Sequence, residues 1–394
     1  MSFESVKAQH DSALMPTYGR FPVILNHGRN ATAFDDGGAE YIDFGSGIGV
    51  TSLGYCDPGY VKAVTTQLNM AQHFSNLYYN ETQIDCAVSL CRRTGMARVF
   101  FGNSGAEANE CAIKLARKYS FDKYGKGRST VITLCNSFHG RTVTTLAATG
   151  QDVFHNYFFP FTGDFVYAPA NDLDALKAMI DDTTCAVMIE CVQGEGGVMP
   201  LDTAYIQGVR ALCDQHDLLM IVDEVQTGIG RTGKLLAVEH ADVKPDVVTL
   251  AKGLGGGLPI GACLCREGLE DVMGAGMHGS TFGGNPVVCA GAKYVLETVD
   301  NPDFLKMVSA KGDFARRRLE TMPHVKEVRG MGLMLGVVLD DKVNAKDVAN
   351  LCVKCGLLIL TAKSLLRLLP PLTISKDELR RGLSILETVL KEWN

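Results

Sequence analysis

The sequence predicts an α/β protein in which helices cover a large, mostly parallel sheet and a smaller α+β domain follows. Between about residues 85 and 290, helical patterns alternate with short apolar runs, which is typical of parallel sheets. In the last hundred or so residues this alternation of helical patterns and short apolar runs is replaced by a long helical pattern, two apolar runs and a terminal amphipathic pattern, which predicts the second domain. The length of 394 residues also exceeds the size at which a single hydrophobic core stops growing.

The first predicted element is an antiparallel hairpin with strands at 31–34 and 40–44, because a turn sequence rich in Asp and Gly separates two apolar runs. Short apolar runs bounded by polar segments then predict strands of the main sheet. These runs lie at 98–101, 130–134, 185–189, 219–222 and 247–250.

The C-terminal part predicts a long helix near 285–321, strands at 336–339 and 356–360, and an amphipathic helix from Lys376. The N-terminal hairpin is expected to belong with this part rather than with the main sheet. We therefore expect three segments: part of the small domain at 1–50, the large domain at 51–290 and the rest of the small domain at 291–394.

Composition argues against several classes of partner. The net charge of -6 and the absence of a Lys/Arg stripe give no reason to expect nucleic acid. No stretch approaches 18 uninterrupted apolar residues, and residues 1–10 do not resemble a secretion signal, so no membrane association is expected.

The thirteen cysteines are scattered through apolar segments, as small buried side chains are in a reducing compartment. Cys352 and Cys355 have no second cluster to complete a zinc site, so no metal is expected. A cytoplasmic protein is the resulting prediction.

A lysine and an aspartate follow two of the predicted strands. Lys252 comes just after the strand at 247–250, and Asp223 directly follows the strand at 219–222. Each residue alone is more often a solvated turn lysine or a helix cap. Ligands of α/β proteins bind beyond the carboxyl ends of the strands, so both side chains can face one ligand. A lysine that forms a Schiff base and an acid at a pyridinium nitrogen are what pyridoxal phosphate requires.

The segment after the strand at 98–101 can either cap a helix or bind an anion. Ser104 and Glu107 fit a capping box. Ser104, Gly105 and Ala106 also offer amide N–H groups at a helix N-terminus, which is how phosphate is held. The glycines at 253–257 do not form a dinucleotide fingerprint, because its third glycine position falls on Leu258.

A third strand is followed by Phe138 and Arg141. An aromatic ring can stack on a cofactor ring, and a guanidinium can bind a carboxylate through two parallel hydrogen bonds. His139 lies between them and is equally compatible with a structural role, so it is not assigned as a catalytic base.

Taken together, these motifs resemble class III pyridoxal-phosphate-dependent aminotransferases, in order, from about Tyr18 to the C-terminus. The resemblance implies the fold-type I architecture of these transferases, with a seven-stranded sheet in the large, cofactor-binding domain. It is carried by the motifs at 103–110, 137–141, 193–197, 223–228, 251–253 and 278–285.

The resemblance also implies roles at the cofactor. Lys252 would form the Schiff base and move the substrate proton, and Asp223 would keep the pyridine nitrogen protonated. Gln226 would reach the phenolic oxygen and Phe138 would stack on the ring. The remaining implied cofactor-binding residues are Ser104, Gly105, Ala106, Val225 and Thr281.

For substrates, Arg141 matches the arginine that takes the α-carboxylate of the ω-amine, and Arg367 the arginine that takes that of 2-oxoglutarate. Glu195 would pair with Arg367 when the ω-amine is bound. Ser280, together with Thr281, would reach the site of a partner subunit, which implies a homodimer with composite active sites. Tyr18 resembles a substrate-side tyrosine only weakly.

The activity implied is ping-pong transfer of the amino group from N-acetylornithine to 2-oxoglutarate, giving N-acetylglutamate 5-semialdehyde and glutamate in arginine biosynthesis. Ornithine, succinylornithine and 4-aminobutyrate aminotransferases share every motif. Glutamate-semialdehyde aminomutase has the same fold, and a non-catalytic cofactor-binding protein is the remaining alternative. Tyr55 and Asp57 depart from the pattern, where the family often has histidines.

Overall fold

A seven-stranded sheet lies at the centre of the computed structural model, which describes residues 2–393. Its N-terminal part contains α1 (Phe3–Ala13), β1 (Leu25–Arg29), β2 (Thr32–Asp35), β3 (Glu40–Asp43), the single turn α2 (Ser46–Gly49), α3 (Pro58–Leu68) and α4 (Glu81–Thr94). The middle part contains β4 (Arg98–Gly102), α5 (Gly105–Tyr124), β5 (Thr130–Leu134), α6 (Val143–Ala148), β6 (Phe165–Ala168), α7 (Leu173–Met179), β7 (Thr184–Ile189), β8 (Val192–Gln193), β9 (Met199–Pro200), α8 (Thr203–His216), β10 (Leu219–Asp223), β11 (Val247–Leu250) and β12 (Gly261–Cys265). The C-terminal part contains α9 (Pro286–Val299), α10 (Pro302–Leu319), β13 (Val325–Met331), β14 (Met334–Leu339), α11 (Ala345–Lys354), β15 (Leu357–Leu358), β16 (Leu360–Ala362), β17 (Leu365–Leu368) and α12 (Lys376–Lys391).

The main sheet has the strand order β4-β12-β11-β10-β7-β5-β6. Every pairing is parallel except those of β12, which is antiparallel to both β11 and β4. The predicted mostly parallel, seven-stranded α/β fold is therefore confirmed. Asp223, the last residue of β10, pairs with Thr249 of β11, so the segments that follow these two strands leave the sheet side by side.

The N-terminal hairpin shares a sheet with the C-terminal part. This four-stranded sheet has the order β1-β2-β3-β15, with β3 and β15 parallel. A second four-stranded sheet, β13-β14-β17-β16, is antiparallel throughout. The proposed domain boundaries near residues 50 and 290 stay a prediction, and the outermost positions of that division, 1 and 394, lie outside the described residues.

The structure corrects two predicted elements. The long helix predicted near 285–321 is wrong as a single helix: α9 ends at Val299, and α10 begins at Pro302. Asn301 accepts hydrogen bonds from the Asp303 and Phe304 amides, and the proline suits only the first turn of a new helix. The strand predicted at 356–360 is divided at Ile359 between β15 and β16, which belong to different sheets.

Tyr55 and Asp57, which depart from the family pattern, both have structural partners. The Tyr55 hydroxyl donates a hydrogen bond to Asp43 Oδ2 at 2.7 Å. Asp57 caps α3 by accepting a hydrogen bond from the Tyr60 amide at 2.9 Å. Both residues therefore stabilise the segment that leads into the large domain.

Arg231 is a fully buried cation that joins distant parts of the chain. Its guanidinium donates to the backbone oxygens of Leu333, just before β14, and Pro370, just after β17. Burial lowers the pKa of Arg231 to about 9, and the nearby carboxylate of Asp43 opposes this shift. Arg231 thus links the segment after β10 to the start of β14 and the end of β17.

All thirteen cysteines are free thiols. Among residues 2–393, no three or more His, Cys, Asp or Glu side chains are grouped so that they could hold a metal ion. None of the helices in this part of the chain has both the length and the apolar character needed to cross a bilayer.

Candidate active site

A cavity of about 430 Å³ opens where β10 and β11 end. Its lining includes nine residues predicted from the sequence: Ser104, Gly105, Ala106, Phe138, Arg141, Asp223, Val225, Gln226 and Lys252. The strand ends and the N-terminus of α5 therefore bring most of the predicted site together.

The N-terminus of α5 offers free backbone donors to the cavity. Ser104 caps the helix by accepting a hydrogen bond from the Glu107 amide at 3.2 Å. The capping box is not closed as predicted, because Glu107 accepts from the backbone and side chain of Asn103 instead. Within residues 2–393, the amides of Gly105 and Ala106 have no acceptor. These two donors fit a phosphate group.

Glycine at position 105 permits a close approach to Val225. A Cβ atom there would lie 2.7 Å from Val225 Cγ1, which is closer than two carbon atoms can pack. The helix terminus and Val225 can therefore both border one narrow cavity only because residue 105 lacks a side chain.

Asp223 is a buried carboxylate with a fixed orientation. Its Oδ2 accepts from His139 Nδ1 and from Asn109 Nδ2, each at 2.8 Å. Its Oδ1 accepts from the Val225 amide at 2.9 Å. Burial lowers the pKa of His139, but the hydrogen bond and charge of Asp223 outweigh burial and raise that pKa overall. The pair can therefore hold a proton next to the cavity.

Lys252 lies in a short 3₁₀ turn directly after β11, and its backbone is in the left-handed region with φ of 37°. A non-glycine residue in this region is strained, and such strain is concentrated at functional sites. Burial lowers the pKa of the Lys252 amine, which Glu195 partly opposes and Arg367 assists. The neutral, nucleophilic form of the amine is therefore favoured.

Glu190 is a further buried carboxyl in the lining, where it accepts a hydrogen bond from the Phe138 amide at 3.0 Å. Burial raises its pKa to about 8, although His139 opposes this shift. Burial therefore favours the neutral form of Glu190, which limits negative charge beside Asp223.

Arg367, Glu195 and Gln226 form a connected group beside the cavity. The buried Arg367 guanidinium on β17 is ion-paired with Glu195 and also donates to Gln226 Oε1 at 3.3 Å. Gln226 Nε2 donates to Glu195 Oε1 at 3.3 Å. Burial alone would raise the pKa of Glu195, but the charge of Arg367 outweighs it and lowers that pKa. The buried cation is therefore neutralised by a carboxylate that is itself more accessible to solvent.

Arg141 differs from Arg367 because it has no carboxylate partner. Within residues 2–393 its guanidinium makes no ion pair and no hydrogen bond. It lies over two aromatic rings, 4.2 Å from the centre of Phe154 and 5.3 Å from that of Phe138. An uncompensated arginine therefore lines the cavity, and a compensated one lies behind its lining residue Gln226.

Three predicted residues lie elsewhere. Ser280 and Thr281 line a different cavity, of about 800 Å³. Ser280 Oγ nevertheless accepts a hydrogen bond at 3.1 Å from Asn103, which lines the first cavity. Tyr18 is 74% exposed, and its ring contacts the Arg20 guanidinium. The roles predicted for these three residues stay predictions.

Several lining or supporting residues received no role in the sequence analysis. Asn109 is part of a motif quoted there, and a polar side chain on the buried face of α5 is a signal that could have revealed it. The sequence alone assigns no role to His139, because a lone histidine has several ordinary roles. Glu190 directly follows the predicted strand at 185–189, a signal that could have revealed it as it revealed Asp223, whereas nothing in the sequence pattern singles out Phe154.

The chain is similar to known aminotransferases over its whole length. The class-III aminotransferase family model matches residues 14–390. The acetylornithine aminotransferase of Haemophilus ducreyi is 52% identical over 393 residues, covering all of both chains.

Solved structures of aminotransferases are also similar to this chain. The ornithine aminotransferase of Toxoplasma gondii ME49 superposes with a TM-score of 0.95 at 32% identity, over 99% of this chain and 95% of that one. The N-acetylornithine aminotransferase of Stenotrophomonas maltophilia K279a has a TM-score of 0.84 at 36% identity, over 98% of each chain. With free phosphate donors, an oriented carboxylate and a lysine amine in one cavity, the chain belongs to the class-III, pyridoxal-phosphate-dependent aminotransferases.

Proposed function

We propose that this enzyme transfers the δ-amino group of N-acetylornithine to 2-oxoglutarate, giving N-acetylglutamate 5-semialdehyde and glutamate in arginine biosynthesis. The observation that carries the proposal is the contrast between its two arginines. Arg141 is free to bind a carboxylate at any time, whereas Arg367 is compensated by Glu195.

This contrast suits two substrates of different charge. An N-acetylated ω-amine has one carboxylate, which Arg141 can bind in a bidentate manner. The ion pair with Glu195 then spares Arg367 the cost of an unpaired buried charge. 2-Oxoglutarate has a second carboxylate that can replace Glu195 at Arg367, and Glu195 can turn away because it is more exposed than its partner.

The cofactor-binding roles follow from the geometry described above. Bound pyridoxal phosphate supplies an aldehyde that bonds to amines and a ring that accepts electrons from the substrate carbon. The Gly105 and Ala106 amides would hold its phosphate, and Phe138 and Val225 would border its ring. Asp223, held by Asn109 and His139, would keep a proton on the ring nitrogen.

Lys252 is the proposed acid-base and nucleophilic group. Its amine, with a lowered pKa, can bond covalently to the cofactor and be displaced by the substrate amine. Lys252 Nζ would then accept the proton from Cδ of the substrate and donate it to the carbon of the bound cofactor that carried the aldehyde, in the same half-reaction.

The experiment that tests this function is a single-turnover measurement on the cofactor-loaded enzyme without oxoacid. N-acetylornithine, ornithine, succinylornithine and 4-aminobutyrate are added in turn, and the absorbance change of the bound cofactor is followed. We expect the largest second-order rate constant with N-acetylornithine, and 2-oxoglutarate should then reverse the change. A larger constant with another amine would contradict the proposed substrate, and turnover of a semialdehyde without oxoacid would indicate an aminomutase.

Replacing Glu195 with glutamine should weaken the preference for ω-amines. The neutral amide leaves Arg367 uncompensated when an ω-amine is bound, so that half-reaction should slow relative to the one with glutamate. We expect the ratio of kcat/KM for N-acetylornithine to that for glutamate to fall about tenfold or more, since hydrogen bonds to charged groups contribute about 1.5–3 kcal/mol. Glu320→Gln, at an exposed position, is the matched control. A ratio equal to that of the control would refute the proposed role.

We further propose that two copies of the chain form each active site, with Ser280 and Thr281 reaching the site of the partner. The second cavity, which these residues line, is bordered by apolar side chains that are unusual on a free surface. Leu77 is 87% exposed, and Phe282 is 62% exposed. An interface between two copies would cover them.

Complementation between two inactive variants tests this arrangement. Lys252→Ala removes the reactive amine, and Thr281→Asp places a negative charge where the cofactor in the partner subunit is proposed to bind. Neither homodimer should be active, but co-expression should restore up to about a quarter of wild-type activity, because half of randomly formed dimers are mixed and each has one intact site. A mixed dimer that is isolated through two different tags and shows no activity would contradict the composite site.

A cytoplasmic location is also proposed, because thirteen free thiols suit a reducing compartment.

A further inference from the structure

The guanidinium of Arg141 contacts two aromatic rings. Phe154 lies against it at 4.2 Å and Phe138 at 5.3 Å, measured from Cζ to the ring centres. The two rings are themselves in edge contact, 5.7 Å apart with an interplanar angle of 76°. Stacking on an aromatic ring uses the face of the guanidinium and leaves its N–H groups available for a carboxylate.

Phe154 is fixed to the same loop that carries Arg141. It ends a short 3₁₀ turn, Asp152–Phe154, in which its amide donates to the Gln151 backbone. The buried side chain of Gln151 donates to the Ser137 backbone oxygen at 2.9 Å, and the Gly150 amide donates to Ser137 Oγ at 3.0 Å. Hydrogen bonds from the two residues that precede the turn therefore hold it against the loop at 136–141.

Glycine at position 150 makes this attachment possible. A Cβ atom there would lie 2.1 Å from the Leu134 backbone oxygen, well inside contact distance. The Gly150 oxygen accepts from the Asn136 amide at 2.7 Å. This close approach sets the position of the whole turn, and with it the position of the Phe154 ring.

We propose that Phe154 is a positioning residue for substrate specificity: its ring holds Arg141 ready to bind the carboxylate of the ω-amine substrate. Arg141 is solvent-exposed and has no carboxylate partner of its own, so without the ring its long side chain would sample many rotamers. The inference rests on the proposed function and adds to it the residue that selects an amine with a distant carboxylate.

The test compares substrates with and without that carboxylate in the holoenzyme. N-acetylornithine is matched by N-acetyl-1,4-diaminobutane, which has the same acetamide and amine but no carboxylate. Phe154→Leu keeps an apolar side chain and removes the ring, and it should raise the half-saturating concentration of N-acetylornithine about 2- to 5-fold, the range of a cation–π contact at an exposed site. The maximal rate with N-acetylornithine should change less than twofold, which corresponds to about 0.4 kcal/mol. The half-saturating concentration of the carboxylate-free amine should also change less than twofold.

Two further variants separate a positioning role from a structural one. Phe154→Tyr keeps the ring and should retain wild-type affinity. Phe159→Leu makes the same change at a 72%-exposed ring in the same segment that contacts Phe161, and it should have no effect. Equal losses with both amines, or equal effects of Phe154→Leu and Phe159→Leu, would overturn the inference.

Inhibition by glutarate distinguishes a failure of this inference from a failure of the proposed function. Glutarate has two carboxylates and no reactive amine, so its inhibition constant does not depend on which amine is the substrate. If wild type does not react with N-acetylornithine, the proposed substrate is wrong, but weaker inhibition of Phe154→Leu by glutarate would still support the positioning role. Equal inhibition constants for wild type and Phe154→Leu would overturn it.

Discussion

Replacing Lys252 with alanine is expected to abolish transamination, with kcat falling by about four orders of magnitude or more, because the variant loses both the covalent attachment and the proton-transferring amine. The structure places no second lysine in the lining of the cavity. The measurement is a single turnover with N-acetylornithine at cofactor saturation, together with the absorbance spectrum of the bound cofactor.

Chemical rescue provides the sharper test of this role. A small primary amine added to Lys252→Ala fits the space left by the side chain and should restore part of the proton transfer, whereas it should not affect wild type. Lys126→Ala, at an exposed position outside the cavity, should behave as wild type. Normal turnover of Lys252→Ala would refute the proposed mechanism, and absence of rescue would argue against Lys252 as the proton carrier.

The second large effect is expected for Asp223→Asn, which keeps the shape of the side chain and removes its charge. Without the carboxylate, the ring nitrogen of the cofactor loses the partner that keeps it protonated, so kcat should fall about 10²- to 10⁴-fold. Cofactor affinity, measured by equilibrium titration, should also fall. Asp271→Asn, which changes a carboxylate that is 91% exposed, is the control, and a similar kcat in both variants would contradict the role of Asp223.

Asp223→Asn should also change how stability depends on pH. In the cofactor-free protein, burial lowers the pKa of His139, but Asp223 outweighs burial and raises it above the usual 6.5. Between the unfolded and folded pKa values, the folded protein binds a proton that the unfolded chain does not. Stability contributed by the pair is therefore complete below about pH 6.5 and is lost as pH rises through the folded pKa.

Denaturant unfolding between pH 6 and pH 9 measures this dependence. The decrease in stability with rising pH that is due to His139 should be smaller in Asp223→Asn than in wild type, because the amide cannot stabilise the imidazolium. Parallel stability curves for the two proteins would show that the pair does not hold a proton in the folded state.

The sequence predicted most strands of the main sheet but not all. The runs at 130–134 and 247–250 match β5 and β11 to the residue, because each consists of apolar residues and threonine, which favour strands, and is largely buried in the sheet. β6 and β12 are not among the predicted strands. The five residues of β12 are Gly261, Ala262, Cys263, Leu264 and Cys265, and small residues give little strand signal. Its antiparallel direction depends on pairing partners that are distant in sequence.

Prediction of the site was limited by sequence separation. Lys252 and Asp223 could be found because each follows an apolar strand, where ligands of α/β proteins bind. The Glu195–Arg367 pair spans 172 residues, and only the family resemblance linked the two. The contact between Phe154 and Arg141 depends on how the turn at 152–154 packs against the preceding loop, which local sequence patterns do not encode.

Burial of Arg231 has a consequence for how the enzyme unfolds. Separating the C-terminal sheet from the rest of the chain would break the hydrogen bonds from this cation to the Leu333 and Pro370 oxygens, and hydrogen bonds to charged groups contribute about 1.5–3 kcal/mol each. Partial opening at this junction therefore costs free energy, so the C-terminal sheet and the main sheet should unfold cooperatively. Arg367 lies three residues before Pro370, so the substrate pocket should resist proteolysis until the whole chain unfolds.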